Sequence, residues 1–164
     1  MPSAGFMFVV ADGASIRGGS TVASQGREGS IEVVELNHDV HIPADVLAGA
    51  ALGTRVHRPI RVTARVDKAT PLMYKALTLR EPCEVRIRFW RPDPAGTGME
   101  QEYFEIYLQG AAVAGVKMLF PNSLEPETAS LPESVEYNFT YQTITWEHKD
   151  GGIVHSDEWY RAPS

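Results

Sequence analysis

The sequence is poor in the features that mark most membrane proteins, disulfide scaffolds and nucleic-acid binders. It has one cysteine, Cys83, in 164 residues, so no intramolecular disulfide can form. Its setting in Glu-Pro-Cys-Glu-Val, ahead of an alternating run, reads as an ordinary strand-edge thiol with no redox role. Long apolar runs are missing too. Phe6-Met7-Phe8-Val9-Val10 is too short to cross a bilayer before Ala11-Asp12-Gly13 interrupts it, and no basic segment precedes it as in a classical export signal. Stable membrane insertion is not expected, and folding in the cytoplasm is. Positive charge is also scarce: 15 Lys and Arg against 21 Asp and Glu give a formal net charge of -6. That balance disfavours broad attraction to nucleic acid or to an anionic membrane, and points to proteins as partners.

The motifs of catalysis are absent as well. There is no glycine-flanked serine nucleophile and no glycine-rich phosphate loop ending in Lys-Ser/Thr. His38-Asp39-Val40-His41 comes nearest to a metal pattern, but in an extended segment the two histidines point to opposite sides. No third neighbouring Cys or His completes a site. His57, His148 and His155 are too scattered for the sequence to bring them together. The expectation is a protein that is not an enzyme, with no catalytic residue, cofactor or metal.

What the sequence does have is alternation. From Glu133 to Trp146 apolar residues alternate without a glycine or proline, placing Val135, Tyr137, Phe139 and Tyr141 on one face of a strand. Ile144 and Trp146 have the opposite parity, which predicts a bulge or a change of packing partner near Gln142. Further strands are expected at Phe6 to Val10 and from Ile31. Another puts Ile60, Val62, Ala64 and Val66 opposite Arg61, Thr63 and Arg65. Val85, Ile87 and Phe89 oppose Arg86, Arg88 and Trp90, and Phe104, Ile106 and Leu108 oppose Tyr103, Glu105 and Tyr107. A bend is expected at Gly110 before a further strand, Ala111 to Met118. One short helix is expected after Thr70-Pro71, with Leu72, Ala76 and Leu79 recurring at helical spacing until Glu81-Pro82.

Together these predict a mainly β chain forming a single domain over residues 1–164. The expected fold is a small antiparallel β-barrel with one short peripheral α-helix and an extended inter-strand loop. That loop runs from Pro43 to Arg58. Its small residues suit close approach to another subunit, so Leu47, Ala48, Ala50, Ala51 and Leu52 are candidates for a subunit or ring-stacking interface. The polar strand faces supply Arg61, Arg65, Arg86, Arg88, Glu105 and Gln109 as candidates for lumen or intersubunit contacts. The same arginines, with Trp90, Tyr103 and Tyr107 as stacking surface, support an alternative: a β-barrel module binding single-stranded nucleic acid.

The order of these pieces resembles the haemolysin-coregulated protein (Hcp) family, the tube-forming component of bacterial type VI secretion. The pieces are Gly18-Gly19-Ser20-Thr21 before Ile31-Glu32-Val33, then His38-Asp39-Val40, and the helix after Asp67-Lys68-Ala69-Thr70-Pro71-Leu72. Tyr103-Phe104-Glu105-Ile106 follows, and then Glu133-Ser134-Val135 leading through Phe139, Ile144 and Trp146 to Asp150-Gly151-Gly152-Ile153. The sequence departs from the family at Gly19, where an acidic residue is frequent. The resemblance implies a homo-hexameric ring with a central channel, stacked on copies of itself. It implies spike and sheath proteins as further partners, with small effector proteins carried or stabilised in the lumen. It also implies assembly in the bacterial cytoplasm, then secretion through the type VI system to the extracellular space or a target cell.

Overall fold

The computed structural model describes residues 3–45, 49–51 and 53–160, without the side chains of Asp45, Ala50 and Ala51. The alternating segments form strands β1 (Ala4–Ala11), β2 (Ala14–Ile16), β3 (Ile31–Asn37), β4 (Val40–His41), β5 (Ala44–Asp45), β6 (Ala50–Ala51), β7 (Val56–His57) and β8 (Ile60–Arg65). Helix α1 (Thr70–Thr78) follows, then β9 (Cys83–Pro92), β10 (Glu100–Leu119), β11 (Ser134–Thr140), β12 (Thr143–His148) and β13 (Ile153–Glu158).

Nine of the strands make one antiparallel sheet in the order β11-β8-β3-β1-β9-β10-β12-β13, with β2 attached to β1. β10 serves two sets of neighbours. Residues Phe104 to Gln109 pair with β12, and Ala112 to Leu119 pair with β11. The change falls at Gly110, whose φ of +58° suits a residue without a Cβ and bends the strand. Ala111 to Met118 thus continues β10 and is not a separate strand. The expectation of a small barrel is corrected. Barrel closure leaves no edge, whereas here β12 and β13 carry the sheet past β10 and β13 ends it as an outer strand. The parity switch after Tyr141 marks where the pairing partners change: β11 pairs with β8 and β10, while β12 pairs with β10 and β13.

The core follows the period of two. Met7, Val9, Ile60, Val62, Ala64, Val85, Ile87, Leu108, Val135, Tyr137, Phe139 and Ile144 are buried together. Full burial of each of the larger apolar side chains contributes about 1.5–3 kcal/mol before entropy is counted. α1 lies against β10, but its buried residues are Thr70, Met73 and Ala76, with Leu72 and Leu79 exposed. Of the stripe expected through Leu72, Ala76 and Leu79, only Ala76 faces the core. Thr70 is fixed at the helix start by Asp67, whose amide donates to Thr70 Oγ1 and whose carboxylate accepts from the Ala69 amide at 2.9 Å. Thr70 Oγ1 also meets the Tyr137 hydroxyl at 3.1 Å, a phenol that burial pushes up to about 12.

Asp67 also meets Gly19. Its carboxylate accepts from the Gly19 amide at 2.7 Å, and a Cβ on Gly19 would sit 3.2 Å from the Asp67 Cβ. An acidic side chain here would crowd a second carboxylate against the one already present, so glycine suits this environment.

Candidate functional site

The connection from Pro43 to Arg58 is a paired arm. β4 pairs with β7 through Val40–His57 and His41–Val56, and β5 pairs with β6 through Ala44–Ala51 and Asp45–Ala50. Of the interface candidates, Leu47, Ala48 and Leu52 lie outside the described residues, and Ala50 and Ala51 form the returning strand of this outer pair.

The root of the arm is tied to the sheet by a chain of polar contacts. His38 Nε2 lies 2.8 Å from the Tyr141 hydroxyl, which also lies 2.8 Å from His57 Nδ1. The other His57 nitrogen meets Asp157 Oδ2 at 2.8 Å. Arg55 donates to both Asp157 oxygens, with Nη2 to Oδ1 at 2.7 Å. The Arg55 and His57 hydrogen bonds outweigh desolvation and hold the Asp157 carboxyl down at about 2. Burial, and then the proximity of His57, lowers the proton affinity of His38 against the opposing pull of Asp39. Aromatic rings enclose the chain: Trp159 stacks on His57 and meets Tyr141 edge-on, and Trp146 tilts over His38.

A second cluster occupies the outward face of β9, β10 and β12. Glu105, 5% exposed, accepts from Arg86 Nη1 at 2.6 Å and Arg88 Nε at 3.0 Å, with Lys149 Nζ 3.5 Å away. Burial opposes the charged form of Glu105. Lys149, the hydrogen bond from Arg86 and the charge of Arg88 outweigh it, and hold this carboxyl below the ordinary glutamate range. The Arg86 guanidinium lies 3.7 Å from the Tyr107 ring centroid, and that of Arg88 lies 5.0 Å from the Phe8 centroid. The structure thus brings Arg86, Arg88 and Glu105 together as partners of one another. Arg61 and Arg65 stand apart on β8, exposed and, among the described residues, in no ion pair. Gln109 is exposed at the bend of β10, and its carbonyl accepts from the Gln142 amide.

Trp90 has the outward parity expected of it, yet it is 1% exposed. The Gly18-to-Ser30 segment covers it: Trp90 Nε1 donates to Gln25 Oε1 at 2.8 Å, and the buried Arg27 guanidinium sits 4.8 Å from its ring centroid. Arg27 in turn pairs with Glu100. Trp90 therefore offers no stacking surface, and the nucleic-acid reading loses its principal aromatic.

His38, His57, Tyr141 and Asp157 were not legible as a group. They are 84 to 103 residues apart along the bonded chain, and no local spacing relates them. Their one sequence signal was the buried parity of Tyr141. Among the described residues no group of three or more His, Cys, Asp or Glu could hold a metal ion.

The candidate surfaces are thus an outward face of paired charges, the paired arm and the outer edge strand β13. The sequence profile described as "Type VI secretion system effector, Hcp" matches residues 8–148. The chain belongs to this family. It is similar to the major exported protein of Pseudomonas aeruginosa, 36% identical over 140 residues that cover 85% of this chain and 80% of that protein. Among solved structures it resembles an engineered Hcp1 of E. coli EAEC 042, with a TM-score of 0.81 and 33% identity over 96% of this chain and 99% of the other. It also resembles the secreted protein Hcp3 of Pseudomonas aeruginosa, with a TM-score of 0.76 and 26% identity over 98% and 100%. As a member of this family the chain is a non-catalytic, ring-forming structural subunit of the type VI secretion tube.

Proposed function

We propose that six copies close into a ring with a central channel, and that rings stack into a tube that engages the spike and sheath proteins of the secretion machine. The family membership of residues 8–148 carries this reading. Ring closure satisfies the repeated heterologous surface that a head-to-tail contact would otherwise leave open. The arm from Pro43 to Arg58, including Leu47, Ala48, Ala50, Ala51 and Leu52, makes contacts between subunits or successive rings. Assembly takes place in the bacterial cytoplasm, and the tube then delivers the subunit to the extracellular space or a target cell. Small effector proteins occupy the lumen. Arg61, Arg65 and Gln109 are candidate contacts for them, and Arg86, Arg88 and Glu105 act as an internally paired wall.

Native mass measurement tests the ring directly. Six copies, together with a central opening in particle images, are expected; a uniformly monomeric species across protein and salt concentrations refutes the proposal. Leu52→Asp is expected to impair stacking while sheet content stays unchanged, because a new charge would have to be desolvated at the contact.

A further inference from the structure

Two histidines that share one tyrosine hydroxyl tie the arm to the sheet, and this pattern has a single satisfied proton arrangement when both rings are neutral. Asp157 accepts from His57 Nε2, so that nitrogen carries the proton and Nδ1 is an acceptor. Tyr141 then donates to His57 Nδ1, and its oxygen is left to accept from His38 Nε2. A second proton on His38 places a cation in a half-buried setting between Trp146 and Tyr141, beside His57.

The charged groups facing this position do not compensate it well. On its own side, Asp39 is the near counter-charge, but Arg58 Nε lies 3.3 Å and His41 Nδ1 3.2 Å from the same Asp39 oxygen. Arg61 lines the same hollow as His38 and Asp39. From the β13 side, Asp157 is committed to Arg55 and His57, and Glu158 lies near Arg55. His155 stacks on the Trp146 ring that covers His38.

We propose that the His38–Tyr141–His57–Asp157 chain is an acid-sensitive latch, holding the root of the arm to the β11–β12 junction and to β13, and releasing it when His38 is protonated. His38 binds its proton less readily in the latched state than when released. The latch therefore stabilises docking fully above the ordinary histidine value of 6.5 and loses that contribution as pH falls from there through the lower, latched-state value. One linked proton changes the docking equilibrium by up to about tenfold per pH unit within that window. Loosening of rings in acid follows as a consequence. That consequence rests on the assignment of the arm to subunit contacts, whereas the latch does not.

Hydrogen exchange of the intact chain, read over residues 40–58 from pH 7.5 to 5 and corrected for intrinsic rates, tests the latch, with the core strands β8 and β11 as internal control. Arm protection is expected to fall below about pH 6.5 while the core stays protected. His38→Gln keeps an amide that can donate to Tyr141 but cannot gain a proton, so its arm protection is expected to stay level. Tyr141→Phe removes the shared hydroxyl, and its arm is expected to exchange rapidly at every pH. Level protection in the unmodified chain, the same acid loss in His38→Gln, or a fully protected arm in Tyr141→Phe would each overturn the latch. Native mass on the same samples separates the two readings. An arm that opens in acid while the assembly persists supports the latch and overturns the assignment of the arm to subunit contacts.

Discussion

Glutamine at position 105 would keep the shape of the side chain and one acceptor oxygen while removing the charge that Arg86, Arg88 and Lys149 share. The Glu105 side chain is 6% exposed, and its two oxygens take separate bonds, one from Arg86 and one from Arg88. A hydrogen bond to a charged group contributes about 1.5–3 kcal/mol net, and glutamine can retain only one of the two acceptors. Stranding a buried charge costs more, about 3–5 kcal/mol. Here the cations are not stranded: Arg86 is 41% exposed and Arg88 and Lys149 are each 31% exposed, so all three can turn to water. The expected loss is accordingly about 2 kcal/mol, at the low end of the range for charged hydrogen bonds.

Urea unfolding followed by circular dichroism measures that loss, provided protomer concentration is held constant so that assembly contributes equally to both proteins. The Arg88→Gln change and the double substitution complete a mutant cycle, in which coupling of at least about 0.5 kcal/mol is expected between groups in direct contact. A loss for Glu105→Gln below about 0.5 kcal/mol, or strictly additive single effects, would refute the view that this carboxylate organises the outward face.

Asp157→Asn is expected to lower stability by about 1 kcal/mol at pH 7, solvent screening limiting the Arg55 contact. Because the Asp157 carboxyl is held below its ordinary value, at about 2, that stabilisation is present above about pH 4 and disappears as pH falls towards 2. Urea unfolding at pH 7 and pH 2.5 should therefore show a deficit that shrinks in acid, and an equal deficit at both would contradict the assignment. Gly18→Ala would put a Cβ 2.6 Å from the Ser30 carbonyl oxygen, in the segment that covers Trp90; a destabilisation of about 1–3 kcal/mol is expected, and an unaltered thermal transition would rule out the clash. Arg61→Glu with Arg65→Glu is expected to leave folding within about 0.5 kcal/mol while changing effector co-purification with intact rings. Unchanged co-purification would remove these two arginines from the lumen contacts.

The apolar face was legible in the strands that alternate cleanly. Ile60, Val62 and Ala64 on β8, and Ile106 and Leu108 on β10, are buried as their alternation requires. The same reasoning missed Trp90, because its cover comes from a glycine-rich loop some 65 residues earlier in the chain, which carries no periodicity of its own. Helical spacing gave α1 its place but not its buried side: Leu72 and Leu79 match the period as well as Met73 does, and only the direction of β10 selects between them. β13 went unread because all its residues except Asp157 are exposed, so it shows no alternation; its position comes from the turn at Gly151 and Gly152, both at positive φ.

Closure of the sheet was illegible for a related reason. Alternation is the same in a strand of a barrel and in a strand of a sheet that ends at an edge, so the pattern cannot say whether a last strand finds a first. Here the bend of β10 at Gly110 gives β11 and β12 different stretches of one strand, and among the described residues β13 pairs only with β12 and leaves an edge. That division lets β12 and β13 extend the sheet beyond β10 and carries Asp157 to the root of the arm, where His57 and Arg55 meet it. The same bend that lets β10 serve both β11 and β12 thus assembles the polar chain that anchors the arm. A substitution that straightened β10 at Gly110 would be felt first at Gln142, against which an added Cβ would fall 2.5 Å from the side-chain oxygen. Gln142 directly follows Tyr141, whose hydroxyl meets both histidines that hold the arm.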